Sequence, residues 1–395
     1  MLGLAAALVS IPVGVYVYAY LVYPAALFTL VALRRPGPGP ESSAAGDPEE
    51  WPMISFSLPA YNEEAAIAGA LDAIIAVDYP ADRRQILVTS DASTDRTAEI
   101  VRGYEDRGVE LLQLEHRGGK TAAENAASGR LRGEIIVNTD ASIRVLPDSV
   151  KPLVRALRDP TVGVASGRDV SVGADGTEGN VGETGYVGYE MWIRSLESRL
   201  GSIIGASGCF YAIRRDLHRI DVPAELSRDF AAVLKARSAG YRSVHVHAAV
   251  CLVPRTGAPA AEYRRKVRTM ERGMGTLWHY RELLNPFRHG GFAISLASHK
   301  LGRWIGPLLL PLAVIGLAAA AIEVPALRWA LAATGLLLAG AWFAMRAPDR
   351  GRRAPRPLAV LGFVLSSNLA CIAAWIRFVR GQRQAVWEPT RREGP

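Results

Sequence analysis

Residues 2–33 contain no charged side chain, and this run constrains everything the chain can become. At 1.5 Å per residue, about 20 apolar residues cross the hydrocarbon core of a bilayer, so the run is long enough to cross with tilt. A secretory signal would carry a basic segment ahead of a shorter apolar core. Here nothing basic precedes the run, and Arg34-Arg35 follows it. The positive-inside rule then puts the amino terminus outside and residue 34 onward in the cytoplasm. Three further apolar runs, at about 305–322, 326–345 and 357–378, predict more membrane helices, with Glu323-Val324-Pro325 turning the first two into a hairpin. Counting crossings places Arg377, Arg380, Arg383 and Arg391-Arg392 outside, against the same charge rule.

The apolar residues, 49% of the chain, are ordinary in amount but crowd into the two ends. The net charge of +8 lies beside those ends, at Arg34-Arg35, Arg264 to Arg272, Arg350 to Arg356 and Arg377 to Arg392. Such placement fits the cytoplasmic flanks of membrane helices. With no zinc-finger spacing and no RNA-binding aromatic signature, it excludes a nucleic-acid partner. Three cysteines without a CxxC pair read as reduced thiols: Cys371 within an apolar run, Cys209 and Cys251 as small buried hydrophobes. The expected organisation is a transmembrane helix over 1–35, a Pro/Gly-rich linker over 36–50, a soluble domain over 51–260, basic amphipathic interfacial helices over 261–304, about three transmembrane helices over 305–378, and a basic tail over 379–395.

The soluble part alternates strand and helix. Met53 to Leu58 predicts a strand ended by Pro59, and Glu63 to Ile75 a helix. Gln85 to Ser90 predicts a strand, and Ser93-Thr94-Asp95 a turn and cap before the second helix. A third strand is expected over Val109 to Leu114, a helix over Gly118 to Leu131, and a fourth strand over Glu134 to Val137. This repetition predicts an α/β fold with a mostly parallel sheet, whose ligands sit beyond the carboxyl ends of the strands. Polar clusters stand at those ends: Tyr61-Asn62-Glu63-Glu64, Ser90-Asp91-Ala92-Ser93-Thr94-Asp95 and Asn138-Thr139-Asp140-Ala141-Ser142. A single strand-end aspartate is often an ordinary helix cap; three acidic strand ends in consecutive units are hard to explain as capping and suit a nucleotide diphosphate. Such a ligand needs a group for base and ribose and a divalent cation on its phosphates. Mg²⁺ or Mn²⁺ takes one or two carboxylates and draws its other oxygens from phosphate and water. Asp140 is the candidate for that contact, and Lys120, after Gly118-Gly119, for the pyrophosphate. Neither GxxxxGK[ST] nor GxGxxG occurs, which disfavours a P-loop ATPase or a Rossmann dehydrogenase.

The segments SLPAYNEE, SDASTDRT, HRGGKTAAENAA and NTDAS together resemble the donor half of the membrane-bound, inverting family-two glycosyltransferases, relatives of cellulose, chitin and hyaluronan synthases. The resemblance covers roughly residues 10 to 310. It implies a GT-A nucleotide-sugar-binding fold, a UDP-type donor and metal dependence. It implies that Asp91 holds the base, that Ala60 and Glu63 contact the same nucleotide, and that Asp140 opens the metal-binding DxD, whose third position here is Ser142. It also implies that Gly205, Ala206, Ser207 and Gly208 frame the acceptor, a strand entered through a turn being the alternative. Asp229 would be the general base. Arg228 stands where the family has an acid beside that base, and points either toward Asp229, lowering its pKa, or to solvent. The QxxRW motif of the polymer synthases is absent, and Arg272 with Trp278 matches it loosely as an acceptor contact. The implied activity is transfer of a sugar from a nucleotide-sugar donor to a lipid or glycan acceptor at the membrane, in envelope or exopolysaccharide synthesis. A processive polysaccharide synthase and a non-catalytic nucleotide-sugar-binding membrane protein are the alternatives.

Overall fold

The computed structural model describes residues 2–34, 47–172, 181–254, 259–347, 354–382 and 386. Most of the expected linker and tail lies outside these residues. The soluble domain is built on one eight-stranded sheet: β1 (Ile54–Ala60), β2 (Arg84–Ser90), β3 (Val109–Gln113), β4 (Ile135–Thr139), β5 (Arg144–Val145), β6 (Val162–Val172), β7 (Phe210–Arg214) and β8 (Arg242–Pro254). Their order is β3-β2-β1-β4-β7-β6-β8-β5. The first four strands pair in parallel, as the strand–helix repetition requires. Beyond them β7 runs antiparallel to both β4 and β6, so the sheet as a whole is mixed.

β1 does not stop at Pro59 but continues through it to Ala60. Its pairing with β4 ends at Ser57, while its pairing with β2 runs the full length. Proline lacks a donor and is tolerated only where one side of the strand has no ladder, and Pro59 sits at that place.

One face of the sheet buries Phe56, Leu58 and Val137 against Leu71, Ile74, Leu153 and Val154. The other buries Ile136, Val164 and Tyr211 against Ala127, Phe230 and Val233. Deep in that second layer three basic side chains are held against their own charge. Burial, then Arg228 and Lys235, depresses His218 well below its usual range. Burial, then Arg194, brings His245 down to about 3, and burial, then Arg228, brings Lys235 down to about 7. Each group binds its proton less tightly folded than unfolded, so stability climbs with pH between the folded and unfolded pKa values. The window lies below about 6.5 for the histidines and between about 7 and about 10 for Lys235. The melting midpoint in detergent should therefore fall steadily from pH 7 to pH 4.5. His245→Leu should flatten that fall; an unchanged slope in the variant would refute the assignment.

Among the described residues, four helices are long and apolar enough to cross a membrane: Leu2–Leu33, Gly291–Glu323, Leu327–Arg346 and Arg356–Val379. The first ends in a stalk whose Tyr23, Leu27 and Val31 pack on Ile193 and Leu196 of the helix Val181–Leu200. The second begins well before residue 305. Its His299 and Arg303, expected on an interfacial face, are buried against protein carboxylates. The last departs from the simple crossing count. Its Cys371 and Ala374 pack on Val267 and Met274 of the helix Pro259–His279, and Arg377 lies 3.9 Å from Glu271. Its basic end therefore packs beside the soluble domain.

Candidate active site

The loops after β1 and β2 are stitched together. The Asn62 side chain accepts from the Thr94 amide at 2.8 Å, and Asp95 accepts from the amides of Glu64 and Thr97, each at 3.0 Å. Asp95 is thus a local cap. Asp91 is buried, and its two oxygens accept from the amides of Gly118 and Gly119, each at 2.8 Å. Both glycines are needed for this clasp. A Cβ on Gly118 would stand 2.7 Å from that of Ala122, and Gly119 has φ +89°, a region other residues rarely adopt. The clasp delivers Lys120 to the first turn of the helix Lys120–Ala127.

Lys120, Asp140, Ser142, Glu63, Asp229 and Arg272 all line one half-open cavity of about 410 Å³, with Gly205, Ala206 and Gly208. Lys120 donates to Asp140 Oδ1 at 2.5 Å and to the Gly208 carbonyl at 2.9 Å. Burial opposes its charge, but Asp140, with Glu124 behind it, more than offsets that and raises its pKa. Asp140 and Ser142 present only oxygen donors, the set that suits Mg²⁺ or Mn²⁺. Among the described residues no group of three or more His, Cys, Asp and Glu could hold a metal alone. The site therefore fits a hard cation whose shell is completed by phosphate and water.

Ala60 and Ser207 sit behind the cavity wall. Ala60 is buried and accepts from the Asp91 amide. Ser207 donates to Asp169 Oδ1 at 2.5 Å while its hydroxyl accepts from the amides of Cys209 and Phe210. That knot holds the small-residue loop open. Asp169 was not foreseen: it stands mid-strand on β6, with no flanking motif. Cys251 is buried against it, with its thiol donating at 3.4 Å, and none of the three cysteines forms a disulfide.

Asp229 lies in the first turn of the helix Arg228–Ser238 and accepts from Ser227 Oγ at 2.6 Å. Arg228 points inward, but not at Asp229. It is buried 3.4 Å from the equally buried Glu124, with further bonds to Asn125 and to the His218 carbonyl. Arg272 donates to Thr121 Oγ1 at 2.7 Å and to the carbonyls of Ala224 and Leu226, whereas Trp278 is exposed and takes no part. Arg268 beside it is lowered to about 10, by burial first and then by Arg272 and Arg265.

Residues 55–220 match the family model described as Glycosyl transferase family 2. The chain carries a family-2 glycosyltransferase domain. It is 27% identical over 347 residues to an N-acetylglucosaminyltransferase of Mesorhizobium japonicum, covering 81% of this chain and 78% of the relative. It is 27% identical over 168 residues to a beta-monoglucosyldiacylglycerol synthase of Nostoc sp., covering 42% and 36%. Among solved structures, a mannosyltransferase from Pyrobaculum calidifontis in complex with GDP-Man and Mn²⁺ superposes with a TM-score of 0.72 at 24% identity, over 97% of this chain and all of that one. The likeness places this glycosyltransferase in the GT-A fold, with apolar helices accompanying the mixed-sheet core.

Proposed function

We propose that this glycosyltransferase moves a sugar, with inversion, from a nucleotide-diphosphate donor of the UDP type to a lipid or glycan acceptor at the membrane surface. The observation that carries the reading is one cavity holding the Lys120–Asp140 pair on one side and Asp229 on the other. Asp91, Ala60 and Glu63 would form the nucleotide end, and Asp140 with Ser142 would hold Mg²⁺ or Mn²⁺, which supplies charge neutralisation on the diphosphate when bound. Lys120 would turn its ammonium to the phosphates. Gly205 to Gly208 would leave space for the acceptor, Arg272 would brace its wall, and Asp229 would take the proton of the attacking hydroxyl. The soluble domain would be cytoplasmic, with the end of the last helix on the same side.

The relatives' names put N-acetylglucosamine first among donors to test, and a lipid first among acceptors. Detergent-purified protein with Mn²⁺ should release nucleotide from one member of a panel of UDP- and GDP-sugars. Asp140→Asn should abolish that release and weaken metal-dependent nucleotide binding. Unchanged activity of the variant across a Mn²⁺ titration would overturn the metal assignment. With labelled donor, label entering the organic phase only when membrane lipid is added supports a lipid acceptor. Long insoluble product without added lipid favours a processive synthase. Nucleotide binding without any release favours a non-catalytic binding protein.

A further inference from the structure

The helix Gly291–Glu323 has 33 residues, about 50 Å at 1.5 Å per residue, against a hydrocarbon core of about 30 Å. The surplus is its first third, where Phe292 and Leu296 are built into the core of the soluble domain with Ile203 and Phe230. Within that embedded part, Ala297–Leu301 forms a π-turn. The first helix carries its own π-turn at Tyr18–Val22, and the two meet where Tyr18 and Ser298 share a hydrogen bond of 2.7 Å. π-Turns are rare and concentrate at functional sites.

The extra residue distributes three basic side chains over two directions. His299 reaches Glu197 at 2.7 Å and Glu190 at 3.0 Å, Arg303 reaches Glu190 at 2.9 Å, and Tyr23 donates to Glu197 at 2.7 Å. These contacts converge on one oxygen of each carboxylate, Glu197 Oε1 and Glu190 Oε2. Lys300 turns the other way, into the active-site cavity. There its Nζ lies 5.6 Å from the centre of the Phe230 ring and 3.4 Å from where a Cβ on Gly205 would stand. Its ammonium makes no hydrogen bond or ion pair with any described residue. A half-buried lysine that opens into a cavity already lined by Arg268 and Arg272 is built for an anion.

Resting on the reading of the cavity given above, we propose that Lys300 is a substrate-binding residue. Its ammonium engages a phosphate group on the Asp229 side of the cavity, which makes a membrane helix part of the active site. The phosphate would be that of the donor diphosphate or of a lipid-linked acceptor. The test measures binding of UDP with Mn²⁺, and separately of a polyprenyl phosphate in mixed micelles, to the full-length parent, Lys300→Met and Lys300→Arg. A single hydrogen bond to a charged group is worth about tenfold or more in affinity. Lys300→Met should weaken one of the two ligands by that factor and Lys300→Arg should recover part of it, with the melting midpoint unchanged. Loss confined to UDP assigns Lys300 to the donor, and loss confined to the polyprenyl phosphate assigns it to the acceptor. Equal affinities in parent and Lys300→Met overturn the proposal while the glycosyltransferase reading stands. A parent that binds neither ligand overturns both.

Discussion

Asp229→Asn is expected to lower kcat by about 10²–10⁴, the usual effect of removing a positioned base, while nucleotide affinity and the melting midpoint stay unchanged. The substitution keeps the shape of the side chain and an oxygen to accept from Ser227 Oγ, so what changes is charge and basicity. The charge is placed where it is favoured: the first turn of an eleven-residue helix points its unpaired amides and the positive end of its dipole at an anion. The other oxygen is kept open by a glycine. A Cβ on Gly208 would come within 3.4 Å of Asp229 Oδ2, crowding the space an acceptor hydroxyl would occupy. Rapid-mixing kinetics and nucleotide titration on the purified variant separate the outcomes. If nucleotide binding is lost with the fold intact, Asp229 belongs to the donor site and the base lies elsewhere.

Glu124→Gln is expected to destabilise the folded protein by about 3–5 kcal/mol, the cost of breaking a buried ion pair from one side. Glu124 and Arg228 are both almost wholly buried, 3.4 Å apart. Pairing Glu124→Gln with Arg228→Met should recover a large part of the loss, because two uncharged side chains of similar volume leave no buried charge. Burial raises the Glu124 carboxyl, against the pull of Lys120 and Arg228, and this supplies a sharp alternative outcome. A loss below about 1 kcal/mol in chemical denaturation would mean that the carboxyl is held neutral and that Asn125 and the His218 carbonyl alone accommodate Arg228. The pair has a functional side as well, since it forms the wall behind Lys120 and Asp229.

The four apolar runs, the parallel order of the first four strands and the gathering of Asp140, Lys120, Glu63 and Asp229 in one cavity were legible in the amino-acid order alone. Apolar runs and strand–helix alternation are local patterns, and a parallel sheet places consecutive strand ends side by side. What each polar group contacts was not legible. Asp91, read as a ligand for the base, spends both oxygens on the Gly118 and Gly119 amides, and Lys120 neutralises the carboxylate read as a metal ligand. Arg228 looked like a charge reversal beside the base until Glu124, 104 positions earlier, proved to be its partner. Lys300 and His299 are neighbours in a stretch that reads as an interfacial helix, yet a π-turn sends one into the active site and the other into a carboxylate cluster. The chain order thus determined which segments are long and apolar enough to enter a membrane, which strands align and which residues reach the cavity, because hydrophobic period and strand succession are properties of neighbours in sequence. Only the tertiary structure decided the charge partners and the direction of each buried basic side chain, because a buried charge is matched by whatever carboxylate or carbonyl the packing brings within about 3 Å, and that distance has no counterpart along the chain.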